Sequence, residues 1–206
     1  MNVLSLIYWG VVCLVPLSLT TQANAQDARR QQSRQVVQDH LQALGSVRLG
    51  KRLKLDDLQS AELRKLFDRC DFFVLRYPRY PVEVVPVAPL RVNNLFMVCD
   101  GKVSRVLDES ELQEFFLQRF PVATDDTVKV DGVRAWLLLA QELHQDGFVV
   151  FGSPSMRTTD ALAEGVVEVT KDSGEGRLSV TMEFSEGKLS KVSWGGNVVP
   201  GVRRLR

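Results

Sequence analysis

Hydrophobic positions along this chain recur with two periods, and the switches between them mark out its elements. Val36, Val37, Leu41 and Leu44 fall at helical spacing and predict a helix over about 33–44, stopped by Gly45. Leu63, Leu66, Phe67 and Cys70 form a similar stripe and predict a second helix over about 57–68. A third is expected over 109–119, with Asp108 and Glu111 in a capping-box arrangement and Pro121 forbidding continuation. Trp136, Leu139, Ala140 and Leu143 share one face of a fourth, over about 132–145. The second and fourth helices run into apolar strands, Phe72–Arg76 and Phe148–Phe151.

Elsewhere the period is two. Leu178, Val180, Met182 and Phe184 alternate with Ser179, Thr181, Glu183 and Ser185, the mark of a strand with one wet face. Glu186-Gly187 then reverses the chain into Leu189–Trp194, as Asp100-Gly101 does between Leu95–Cys99 and Lys102–Leu107. Phe96 and Val98 occupy the face that is polar in the later hairpin, so the earlier sheet is expected to be covered on both sides.

These elements repeat. Phe67–Leu75 overlays Leu143–Phe151 at a register of 76 residues, and Cys99–Val106 overlays Ser185–Val192 at 86. A ten-residue insertion between Gly152 and Leu178 reconciles the two registers. The fold class read from this is α+β, a tandem duplication of two helices plus a roughly four-stranded antiparallel sheet. The division is 1–25, 26–107 and 108–206. The plan is similar to that of the tandem-repeat beta-lactamase inhibitor proteins of the bacterial exterior. That likeness of layout implies a binding protein as readily as an enzyme.

The segment 1–25 reads as a signal peptide, because the uncharged, mostly apolar Val3–Leu19 is followed by the small-x-small sequence Ala23-Asn24-Ala25. Cleavage before Gln26 predicts an exported protein, periplasmic or extracellular, with no stable membrane span. It also removes Cys13 and leaves Cys70 and Cys99, which in an oxidising compartment pair as a disulfide.

Charge sharpens this picture modestly. The 206 residues carry a net charge of +1, which argues against a protein built to grip nucleic acid. The balance is uneven: Gln26–Lys54 is basic, Leu55–Val199 acidic, and Arg203, Arg204 and Arg206 make a basic tail. Solvated helix faces account for most of it.

Catalytic and metal signatures are missing from the sequence: it contains no GxSxG, HExxH, GxGxxG, phosphate loop or EF-hand spacing. Its two histidines, His40 and His144, lie on separate predicted helices. No catalytic residue, metal ligand or cofactor is assigned. One segment departs from scaffold composition. Residues 76–89 hold four of the eight prolines and interleave Tyr77 and Tyr80 with Arg76 and Arg79. Proline fixes φ and removes a donor, so the segment is extended and is not a central strand. Tyr and Arg are frequent interface anchors. Tyr77, Arg79 and Tyr80, with Arg157 in a neighbouring loop at 152–164, are the candidate binding residues. The expected function is a non-catalytic exported binding module for a protein or envelope-associated ligand. The alternative is a small hydrolase with a site between the repeats, which requires a histidine in a pocket beside a carboxylate or hydroxyl.

Overall fold

The computed structural model describes residues 18–43, 54–76, 95–143, 149–171 and 174–198. Helix α1, Ser18–Ala43, leads to strand β1, Lys54–Asp57, and the short helix α2, Ala61–Leu66. Strands β2 (Cys70–Arg76), β3 (Leu95–Cys99) and β4 (Lys102–Val106) complete a first antiparallel sheet in the order β1-β2-β3-β4. Helices α3 (Glu109–Arg119) and α4 (Asp126–Leu143) follow. The second sheet is β5 (Val149–Thr159), β6 (Leu162–Lys171), β7 (Gly174–Ser185) and β8 (Lys188–Val198), again in sequential order. This is an α+β fold with two similar four-stranded units.

The likeness is closest at the hairpins. Asp100-Gly101 joins β3 to β4 with φ of 52° and 76°, and Glu186-Gly187 joins β7 to β8 with 52° and 75°. Two consecutive left-handed residues make the tight turn whose twist suits a hairpin, and glycine adopts the second without strain. The helix-to-strand match holds less well. The strand after α2 is interior in the first sheet, whereas the strand after α4, β5, is an edge in the second. β1 takes the edge place in the first sheet, and β6 inserts between β5 and β7 in the second.

Helices α2, α3 and α4 lie between the sheets. Phe72, Val74, Leu95 and Met97 of the first sheet's inner face join Leu112, Phe116, Trp136 and Leu139 of the helices in one core. Ala163, Val167, Leu178, Val180 and Met182 bring in the second sheet. Aromatic rings cross this core in sequence, with centroid separations of 5.9 Å for Phe72–Phe67, 5.3 Å for Phe67–Phe116, 6.2 Å for Phe116–Phe120 and 5.9 Å for Phe120–Phe184. Gly132 lets them close up, since a Cβ there would stand 2.6 Å from the Phe120 ring. The expected two-sided coverage of the first sheet is present. Phe73, Leu75, Phe96 and Val98 face outward, where α1 packs Val37 and Leu41 over them.

Several boundaries differ from expectation for local reasons. α1 starts at Ser18 rather than near Ser33 and runs through Ala23-Asn24-Ala25. No Gly or Pro interrupts 18–43, and the polar Gln- and Arg-rich first half carried no amphipathic signal to mark it as helix. α2 is six residues long and starts later than the expected 57 because Ser60 caps it, its side chain accepting from the Leu63 amide at 3.0 Å. Residues 54–57 are drawn onto β2 as β1 instead. α3 has the expected limits, with Asp108 accepting from the Glu111 amide at 3.0 Å. The Glu111 carboxylate accepts from Leu107 N–H, one residue before the cap. α4 begins six residues earlier than expected, where Asp125 accepts from the Val128 amide.

Candidate functional site

Tyr77, Arg79 and Tyr80 lie outside the described residues, but the strands that carry their segment are defined. Val74 pairs with Leu95, and Cys70 with Cys99, in the β2–β3 register. The Cys70 and Cys99 sulfurs are 2.07 Å apart, a disulfide across two neighbouring strands. Eighteen residues, 77–94, therefore connect strand ends that are already adjacent. A hairpin closes with two to five residues, so most of this segment is surplus to closure.

Arg157 is placed differently from expectation. Residues 152–164 are not a loop: β5 continues to Thr159, turns at Asp160-Ala161 and returns as β6. The register shift between Phe151 and Ser155 is a bulge, which accommodates Pro154 where a regular ladder would demand its missing N–H. Arg157 is exposed on the outer face of this hairpin and pairs in register with Glu164. Nothing among the described residues brings Arg157 together with the 76–89 segment.

The outer face of the second sheet, where Arg157 stands, is mostly polar, with Leu162 and Val166 of β6 as its apolar members. Ser179, Thr181 and Glu183 on β7 share it with Glu164 and Glu168 on β6 and Lys191 and Ser193 on β8. Ion pairs span it between Lys191 and Glu183 at 2.9 Å and between Arg177 and Glu168 at 3.7 Å. All four side chains are exposed, so these pairs add about 0–1 kcal/mol each at most. The buried side chains of this sheet all point the other way, into the shared core.

Sequence reasoning missed one polar cluster, where α1 crosses the first sheet. Asp71 is 8% exposed and accepts from Ser33 Oγ at 2.7 Å and from the Arg29 guanidinium at 3.3 Å. Arg29 also donates to the Asp68 carbonyl at 2.6 Å, and Arg34 to Asp57 at 2.7 Å. Beside Asp71, a cleft with about 20 Å³ of room is lined by Arg30, Gln59, Arg64 and Cys70 among others. That holds about one water and no substrate. The signal was a lone acid inside the apolar run Cys70-Asp71-Phe72-Phe73, since a buried carboxylate must find donors. The partners sit 38 and 42 residues away, beyond local pattern.

Two further carboxylates are perturbed. The Lys129 ammonium beside Asp126 holds that carboxyl below its ordinary value, helped by a hydrogen bond with Thr158. Lys129 is itself buried, donating to Asp126 at 3.1 Å and to the Thr159 carbonyl at 2.7 Å, so it fastens α4 to the end of β5. Glu62 is lowered by a hydrogen bond with its own backbone at the start of α2, which outweighs the desolvation of partial burial. Both are fastenings at helix starts, Glu62 held by a helix-start amide and Asp126 by the Lys129 and Thr158 side chains.

His40 is half-buried on α1 and meets the Phe96 ring edge-on at 6.4 Å, a packing contact. His144 lies outside the described residues. Among the described residues no three His, Cys, Asp or Glu side chains gather so as to hold a metal ion, and no helix is long and apolar enough to cross a membrane. No family model matches this chain, and neither the curated proteins nor the solved structures contain a match. The likeness of layout to the beta-lactamase inhibitor proteins therefore carries no function here.

Proposed function

We propose that the protein is an exported, non-catalytic binding module that engages a protein or envelope-associated ligand through the segment 76–89. Tyr77, Arg79 and Tyr80 are its anchors, and Arg157 on the β5–β6 hairpin is a further contact. The observation that carries this reading is the 18-residue excursion between strand ends already paired at Val74 and Leu95. A fold that needs only closure there has no use for so long a connection rich in Pro, Tyr and Arg. Rigid proline-fixed backbone lowers the entropy lost on binding, and aromatic and guanidinium groups give most contact per ordered side chain. Export is supported by the apolar Val3–Leu19 segment and by the disulfide, which persists in oxidising compartments.

The test is a triple substitution, Tyr77→Ala, Arg79→Ala and Tyr80→Ala, compared with the unaltered protein in capture from an envelope fraction. The expected result is loss of the captured species with an unchanged melting temperature, because the β2–β3 pairing is made by residues 70–74 and 95–99. Equal capture by both proteins would remove the reading.

A further inference from the structure

We propose that α1 is a releasable strap, and that the apolar face of the first sheet beneath it is an acceptor for the α1 helix of a second copy of this chain. The core joining the two sheets is complete without α1, being drawn from α2–α4 and the inner faces of both sheets. α1 belongs to a separate cluster, where Val37 and Leu41 meet Leu55, Phe73, Leu75, Phe96 and Val98. Those five sheet residues are between 0% and 5% exposed, and among the described residues the helix covers them with Val37, Leu41 and the half-buried His40 ring.

Apart from the His40 ring set edge-on against Phe96, the remaining grip among the described residues is polar. Arg29 holds the Asp68 carbonyl and Asp71, Ser33 holds Asp71, and Arg34 holds Asp57. Hydrogen bonds of this kind exchange for water at small net cost, and elements with few buried apolar contacts open well below the limit set by global unfolding. Lifting α1 takes no residue from the core between the sheets, and the apolar face it bares is that of Leu55, Phe73, Leu75, Phe96 and Val98.

The vacated face specifies its occupant. It takes a helix with aliphatic residues at i and i+4, a small hydroxyl four residues earlier, and arginines that reach acids at the sheet's margin. Arg29, Ser33, Arg34, Val37 and Leu41 have this arrangement, and every copy of the chain carries it. Ten residues, 44–53, join α1 to β1, enough for a reach of about 35 Å when extended. Exchange of an identical element between protomers is a low-cost route to pairing, because each acceptor regains the contacts it lost.

Two measurements on the intact, unaltered protein test this, so no variant has to fold. Hydrogen exchange should show the α1 amides of residues 33–41 exchanging at least about a hundredfold faster than the α4 amides of residues 133–140. A fluorescent synthetic peptide of residues 26–43, standing in for the second copy's helix, should be taken up saturably. The same peptide carrying Leu41→Glu should bind about tenfold more weakly or worse. Equal protection of α1 and α4 overturns the proposal, as does a peptide that fails to bind or one that binds equally well with glutamate at position 41.

Discussion

The two sheets share a strand number, a sequential order and a matched left-handed turn at their last hairpins, yet they are clothed differently. The first is covered on both faces, by α1 outside and by the central helices inside. Among the described residues the second is covered only inside, and its outer face carries Ser, Thr, Glu, Arg and Lys with the half-buried Leu162 and Val166 between them. What separates them is visible in their periodicity. Asp71 and the terminal Arg76 apart, β2 and β3 are unbroken apolar runs, which need cover on both sides. β7 alternates, which needs it on one. The same backbone plan thus takes an extra helical layer or a solvated face according to which side chains occupy every second position. The proposed binding segment is attached to the doubly covered sheet, whose disulfide gives it a fixed base.

The comparison can be broken first at what the sheets share. Phe116 is fully buried and sits in ring contact with Phe67, Phe120 and Trp136, in the layer between the two sheets. Phe116→Ala should destabilise both sheets together by about 3–5 kcal/mol, read by urea unfolding as one cooperative transition at lower midpoint. Two separated transitions would show that the halves do not share a core.

Next comes the difference in cross-linking, for the first sheet has a disulfide and the described part of the second has none. Replacing Cys70 and Cys99 with serine together should cost roughly 3–4 kcal/mol, the chain-entropy value for a loop of this length. The smallest effects test the coverage itself. Leu41→Ala, under the strap, should cost about 2 kcal/mol, near the lower end for a buried leucine because α1 is an outer layer. Thr181→Ala, on the open face of the second sheet, should stay within about 0.5 kcal/mol of the parent.

Much of this architecture was legible beforehand because it is local. Helix α3 could be bounded at both ends because Asp108 and Pro121 act on their immediate neighbours. Both hairpin turns were readable for the same reason, and the even pair of cysteines in 26–206 foretold their bond. What escaped notice depends on distant partners. β1 was not foreseen, and its last residue, Asp57, was expected to open a helix, because the strand's place is decided by Leu55 entering the outer cluster and Asp57 meeting Arg34, neither of which is encoded nearby. The hairpin at 152–164 was read as a loop because Pro154 and Gly152 are loop residues by composition. The bulge that accommodates them exists only once β6 lies alongside. Of the candidate site, Arg157 could be placed on exposed surface but not in its setting, and the Asp71 cluster was overlooked because its donors come from α1.

The claim that one sheet is clad on both faces and the other on one can be tested directly by thiol labelling of two single-cysteine probes, the native disulfide being retained. Val98→Cys places a thiol on the outer face of the first sheet, at a position 2% exposed, and Thr181→Cys places one on the outer face of the second. The thiol at 181 should react at nearly the rate of a free thiol, and the thiol at 98 at least about a hundredfold more slowly, gated by release of α1. Comparable rates at the two positions would contradict the account.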